Sequence, residues 1–174
     1  VMADLHTVTP EIFMCGAAFA LLMIDLFISP QRRGLIHFLS ILVLVAAAVL
    51  TARDMASGQT FAFTNMFVRD IASDVLKMSV YLVMAFSLVY AKPYLQDRDL
   101  FKGEFYALAL FSVLGMMLMI SAASMVTLYL GLELLALSTY GLVAMDRDNR
   151  LASEAAMKYF VLGSLSSGLL LYGA

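Results

Sequence analysis

The chain has no tryptophan, one cysteine and three prolines, and only 14% of its 174 residues are charged. Each shortage excludes something. A single cysteine, Cys15, forms neither an internal disulfide nor a CxxC metal site. It sits in an apolar run, where it reads as a small buried hydrophobe. The net charge of −2 leaves no broad basic surface, which argues against nucleic acid as a partner. The first eleven residues hold Asp4, His6 and Glu11 but no lysine or arginine, so the start, Val1-Met2, is not read as a secretory signal. The glycines are scattered singly and offer no phosphate-cradling loop. There is no paired-histidine haem site and no nucleophile beside a base. What fills the chain instead is apolar: 63% hydrophobic residues and a mean hydropathy of +0.91. Soluble domains are about 45–50% apolar and about 25% charged, so the composition points to lipid as the solvent.

A transmembrane helix takes roughly 20 mostly apolar residues. Six stretches qualify, at about 12–28, 35–52, 71–91, 105–121, 125–145 and 155–174. They predict an all-α transmembrane helix bundle forming one membrane domain over 1–174. Phe105 to Leu132 carries no charge and is too long for one span. Ser121-Ala122-Ala123-Ser124 divides it, which predicts two adjacent antiparallel helices. Proline breaks helix interiors. Pro10 precedes the first span, Pro30 follows it and Pro93 follows the third, so no span is expected to contain one. The 13 methionines read as packing residues.

Lysine and arginine in the loops set the orientation. Arg32, Arg33, Lys92, Arg98, Lys102, Arg147 and Arg150 fall on one side. Only Arg53 and Arg69 fall on the other, and Lys77 and Lys158 lie within spans. The first side is expected to be cytoplasmic, with loops at 92–104 and 146–151. The N-terminus and the 53–70 loop are then outside. Tyr90, Tyr94 and Tyr106 fall at the inner boundary, as an aromatic belt requires. Within the 53–70 loop, Thr60 to Phe63 alternates polar and aromatic residues and reads as a short strand or interfacial segment.

Ionisable residues inside a membrane are costly, about 2.5–3.5 kcal/mol at a span's centre on insertion scales, and mark relays or binding sites by default. Glu133 is the deepest. It is the only charge between Phe105 and Met145 and lies roughly 12 Å from the outer end of its span. Tyr129, Glu133, Ala136 and Tyr140 share one stripe of that helix, which is expected to face protein or water. Lys158 lies just inside the sixth span, four residues after Glu154 in the favourable acid-first order. The loop lengths set Glu133 and Lys158 roughly 7 Å apart in depth, so a direct ion pair is not expected. Asp74 and Lys77, three apart at the start of the third span, can neutralise each other. Asp25 and His37 read as interfacial.

The run Lys102-Gly103-Glu104-Phe105-Tyr106, the charge-free fourth span, Tyr129-Leu130-Gly131-Leu132-Glu133-Leu134 and Ser153-Glu154-Ala155-Ala156-Met157-Lys158-Tyr159-Phe160 carry a resemblance. Together they resemble the subunit N family of bacterial NADH:quinone oxidoreductase (respiratory complex I), one of three kinds of antiporter-like membrane subunit. The resemblance implies a fourteen-helix fold with two inverted repeats, of which this chain would be an N-terminal portion. It implies a multi-pass protein of the bacterial inner membrane that translocates protons while NADH reduces quinone elsewhere in the complex. Glu133 and Lys158 would form the proton relay, supported by Tyr129, Tyr140 and Glu154. The chain itself would hold no cofactor. The complex would use NADH, FMN, iron–sulfur clusters and quinone, and the partners would be other membrane-arm subunits and the lipid bilayer. The same acid is shared by related cation/proton antiporters and membrane-bound hydrogenases, and a purely structural spacer is the remaining alternative.

Overall fold

The structure, a computed structural model, describes residues 6–28, 33–53, 55, 60–98 and 100–174. Val1, Met2, Asp4, Pro30, Arg32 and, in the 53–70 loop, residues 54 and 56–59 lie outside the described residues. Six helices dominate: α1 Thr9–Phe27, α2 Arg33–Arg53, α3 Ile71–Asp97, α4 Gly103–Ile120, α5 Met125–Val143 and α6 Arg150–Gly173. All six are long and apolar enough to cross a membrane, and the chain is a multi-pass integral membrane protein.

Local chemistry sets several of the helix starts. Pro10 sits in the first turn of α1, where its missing N–H costs nothing. Asp70 caps α3 by accepting from the Ser73 N–H at 2.8 Å, and the Ser73 hydroxyl accepts from the Asp70 N–H at 2.9 Å, a reciprocal box. Ser124 caps α5 and Asn149 caps α6 in the same sense.

Two boundaries differ from expectation. Helix α3 does not stop before Pro93 but runs through it to Asp97, and the 92–104 loop shrinks accordingly. Proline removes its own hydrogen bond to the carbonyl four residues back and crowds that carbonyl with its ring. Here that carbonyl belongs to Val89, which is half exposed, so one lost bond near the helix end is tolerated. Helix α6 begins at Arg150, ahead of the expected 155, because Asn149 supplies a cap.

The connection before α3 folds into a hairpin. Strand β1, Thr60–Ala62, pairs antiparallel with β2, Phe67–Arg69. The first strand coincides with the alternating segment in the sequence; the second carries no comparable signal. Phe63, Thr64 and Asn65 turn the chain in the left-handed region, with φ of 52°, 57° and 65°. The hairpin docks on the turn between α4 and α5. The Val68 N–H donates to the Ser121 carbonyl at 2.9 Å, and the Ala123 N–H donates to the Met66 carbonyl at 3.0 Å.

Helix α4 is the centre of the bundle. It packs against α1, α2, α3 and α5, and more than half of its residues are buried. A helix apolar on every side can be surrounded on every side. Tyr106, Leu110, Val113 and Met117 of α4 meet Met14 and Leu21 of α1, Leu44 of α2 and Tyr81 and Leu88 of α3. Tyr106 is therefore a core residue and not part of an inner tyrosine belt. Its hydroxyl lies 3.1 Å from His37 Nδ1, so His37, near the start of α2, is turned into the bundle and buried there. Tyr90 and Tyr94 remain exposed.

Helices α4 and α5 run together as the short 121–124 turn requires. Gly115 and Gly131 face each other across the contact. A Cβ on Gly115 would lie 2.8 Å from the Gly131 carbonyl oxygen and 2.7 Å from the Leu135 nitrogen. These are backbone atoms with no room to give, so the two chains approach as only small residues allow. Replacing Gly115 or Gly131 by alanine overpacks this contact and costs about 1–3 kcal/mol. The thermal midpoint of the detergent-solubilised, full-length subunit is expected to fall. Gly16→Ala, whose added carbon would meet no neighbouring helix within 4 Å, is the control and does not lower it.

Candidate proton-handling site

The stripe of Tyr129, Glu133 and Tyr140 faces α6. Glu133 is half-buried there, and one of its carboxylate oxygens accepts from the Ser167 hydroxyl. The Ser167 Oγ is also 3.2 Å from the Tyr129 hydroxyl. Among the described residues of α6, Ser167 is the buried one. One hydroxyl thus lies between the mid-membrane acid and the tyrosine one turn away. Nothing in the sequence singles out Ser167. It lies in the polar-dotted run Ser164-Leu165-Ser166-Ser167, and only the pairing of α5 with α6 selects one serine from the three.

Tyr140 meets the same helix further along. Its ring is edge-on to Tyr159 at 5.0 Å and to Phe160 at 5.5 Å, and it lies over Gly163, which leaves no space for a side chain. A cleft of about 520 Å³ opens beside it, lined in part by Arg147, Ser153, Met157 and Phe160.

Lys158 is not at the level of Glu133. Its Nζ contacts Glu154 at 2.7 Å, one turn back on α6, with the two side chains 70% and 54% exposed. Ser167 marks the level of Glu133 and stands nine residues beyond Lys158, or roughly 14 Å along the axis. The separation is about double the one read from loop lengths. Glu133 is 10 residues from the end of α5 at Val143, but Ser167, which meets it, is 17 residues into α6 from Arg150, so α6 starts beyond the level where α5 stops and the connection is not a symmetric turn about Asp148.

A second group of charges gathers where the hairpin meets α1, α2 and α3. Asp74 and Lys77 do not neutralise each other there. The Arg69 Nε donates to both Asp74 carboxylate oxygens, at 3.1 and 3.2 Å, and its Nη2 donates to the Thr51 carbonyl at 3.0 Å. Lys77 Nζ lies 2.6 Å from Glu11 Oε1. All four charged side chains are 5% exposed or less. The i,i+3 spacing of Asp74 and Lys77 places them on one face, but each is aimed at a partner from another element. Glu11 had no signal as a site, since it stands in the first turn of α1 where an acid is ordinary. Asp25 is half-buried and packs on Gly103, at the start of α4.

Among the described residues no group of three or more histidine, cysteine or acidic side chains is placed to hold a metal ion.

The family model for the transmembrane region of NADH:quinone oxidoreductase and Mrp antiporter proteins matches residues 122–174, the segment that holds Glu133, Lys158 and Ser167. A curated relative from Thioalkalivibrio sulfidiphilus, NADH-quinone oxidoreductase subunit N, is 55% identical over 98% of this chain and 35% of its own length. Relatives of the same name from Methylovorus glucosotrophus and Nitrosomonas europaea are 52% and 46% identical, each over 99% of this chain and 36% of their own length. Among solved structures, a chain of respiratory complex I from Thermus thermophilus with bound aureothin superposes with a TM-score of 0.76 at 26% identity, over 94% of this chain and 35% of that one. The chain thus spans about a third of the length of the relatives it matches, in their N-terminal portion. It belongs to the family of NADH-quinone oxidoreductase subunit N.

Proposed function

We propose that this chain carries part of a proton path through the membrane arm of an NADH:quinone oxidoreductase, with Glu133 as the residue that takes up and releases the proton. The observation that supports this most directly is the bonding of Glu133: a lone acid deep in an otherwise charge-free helix, held by the hydroxyl of Ser167 and, among the described residues, not by a cation. Apolar surroundings favour the neutral acid, and an approaching ammonium favours the carboxylate. A cation that moves toward or away from Glu133 would therefore drive proton release and uptake. Redox chemistry, with NADH, FMN, iron–sulfur clusters and quinone, belongs to other subunits in this reading. The neighbours are other membrane-arm subunits in a bacterial inner membrane, with the hairpin end of the bundle outside the cytoplasm. The family description also names Mrp antiporters, so a cation/proton antiporter is the second reading. It would use the same acid.

The Ser167 hydroxyl gives the site a direction. It holds one proton and two lone pairs. When Glu133 is ionised, Ser167 donates to it and leaves its oxygen free to accept from Tyr129. When Glu133 is protonated, the acid donates to Ser167, which then donates to Tyr129. Each change in the charge of Glu133 reverses the chain, so Ser167 and Tyr129 can pass a proton toward the hairpin end. Tyr140 and the cleft beside it offer the approach from the opposite end, where Lys158 and Glu154 also stand.

Glu133→Gln in the full-length subunit is expected to reduce protons pumped per NADH in complex that assembles normally; unimpaired pumping would sink the assignment. Ser167→Ala removes a hydrogen bond to a charged group, about 1.5–3 kcal/mol, and is expected to slow proton transfer about tenfold or more. Ser167→Thr keeps the hydroxyl and restores most of the rate. Equal rates for the alanine and threonine variants, measured as proton uptake by vesicles containing the complex, would remove Ser167 from the path.

A further inference from the structure

Four buried side-chain polar atoms have no hydrogen bond among the described residues: both carboxylate oxygens of Glu11, the Nζ of Lys77 and the Oγ of Ser121. All belong to the hairpin end of the bundle. Lys77 Nζ sits 5.3 Å from the centre of the Phe67 ring. Phe67 bridges to Ala122, and Val68 bonds the Ser121 carbonyl. Ser121 and Lys77 therefore flank one strand. The Glu11–Lys77 contact is close, at 2.6 Å, but is not aligned as a hydrogen bond. The ammonium has three donors and the carboxylate about four acceptor positions. Buried polar groups left this open are normally completed by internal water.

The neighbouring pair shows the contrast. Arg69 makes two bonds to Asp74 and one to the Thr51 carbonyl, and a guanidinium does not deprotonate in proteins. That pair is a fixed clamp between β2, α2 and α3. Lysine, by comparison, readily changes protonation when buried, and glutamate does the same. Among the described residues, the titratable and charged groups gathered around Glu11 and Lys77 are Asp74 and Tyr81 from α3 and Arg69 from β2, with Thr51 of α2 bonded to Tyr81 and Arg69. Moving the proton between Lys77 and Glu11 leaves the summed charge of that pair unchanged.

We propose that the hairpin end of α1 and α3 holds a second proton-exchange site, in which bound water completes the Glu11–Lys77 pair and the pair exchanges a proton with the solution on that side. In the exchange, a Lys77 N–H bond breaks and its electron pair stays on nitrogen. The proton passes, directly or through the water, to a Glu11 oxygen, leaving an amine and a carboxylic acid. A proton from solution then restores the ammonium, and the acid returns its own to water. The route out is short, since Glu11 is in the first turn of α1 and Lys77 is about 9 Å along α3 from Ile71. Among the described residues, a small buried apolar cluster of Val8, Ala62 and Phe67 lies at this end of the bundle. The site is separate from Glu133. Helix α4 lies between them, and Met117, Gly115 and Met119 are what it presents across the gap.

The role in pumping rests on the reading above, and two substitutions tell the two ideas apart. In the full-length subunit within assembled complex, Glu11→Gln with Lys77→Met removes the exchanging pair and leaves no charge unpaired. The expected result is a loss of protons pumped per NADH while NADH oxidation continues. Unchanged pumping in assembled complex overturns the exchange role, even where Glu133→Gln abolishes pumping. A loss in the double variant with none in Glu133→Gln keeps this site and removes Glu133. Where the double variant does not assemble, a water-resolving cryo-EM map of the unaltered complex decides. Water density against Lys77 Nζ and Ser121 Oγ is the expected result, and a dry pair overturns the proposal.

Discussion

Hydrocarbon offers no hydrogen-bond partner, so every polar group carried into it must be met by the protein itself. The arrangement of this chain follows from that constraint. The most apolar of the helices, α4, is the one surrounded on most sides. Of the helices around it, α1 and α3 turn Glu11, Asp74 and Lys77 inward. At the hairpin end, Arg69 reaches a carboxylate and a backbone carbonyl at once, while Lys77 finds Glu11. On α5, the single acid turns to the single buried residue of α6, a serine. The hairpin is part of the same logic. Its main-chain bonds to the 121–123 turn satisfy groups that would otherwise be orphaned where α4 ends and α5 has not begun.

How far these features could be read from the sequence depends on their range. The six helices and the turn at Ser121–Ser124 are written in runs of apolar residues and in short polar breaks, both local signals. The Tyr129, Glu133 and Tyr140 stripe follows from helical periodicity, and it does face a neighbouring helix. What stayed hidden were partners chosen by packing. Asp74 and Lys77 advertise each other by spacing, yet Arg69 and Glu11 claim them, because a three-residue separation fixes a common face and not a common direction. Ser167 is one serine of three and becomes distinct only when α6 is laid against α5. Strand β2 has no alternation to betray it and exists because β1 and the 121 turn offer it edges. Pro93 misled in the other direction, since a general tendency of proline is weaker near a half-exposed helix end.

The two acidic sites differ in kind. Glu133 is bonded by a neutral hydroxyl, which can donate or accept. Glu11 faces a cation at 2.6 Å. In the readings proposed above, the first site passes a proton along a line and the second exchanges one across an ion pair. The fixed Arg69–Asp74 clamp beside the second site keeps the helices from shifting while that proton moves.

The Glu11–Lys77 contact also constrains how the protein is made. The two residues are 66 positions apart in the chain. At about 5–20 residues per second, synthesis leaves roughly 3–13 s between them. During that interval α1 has left the ribosome, and Lys77, the partner Glu11 has among the described residues, is not yet made. The insertion machinery must therefore shelter α1, or admit it with Glu11 protonated, until α3 arrives with Lys77. The first three helices are in this sense coupled in assembly, since the pair is complete only once α3 is in place.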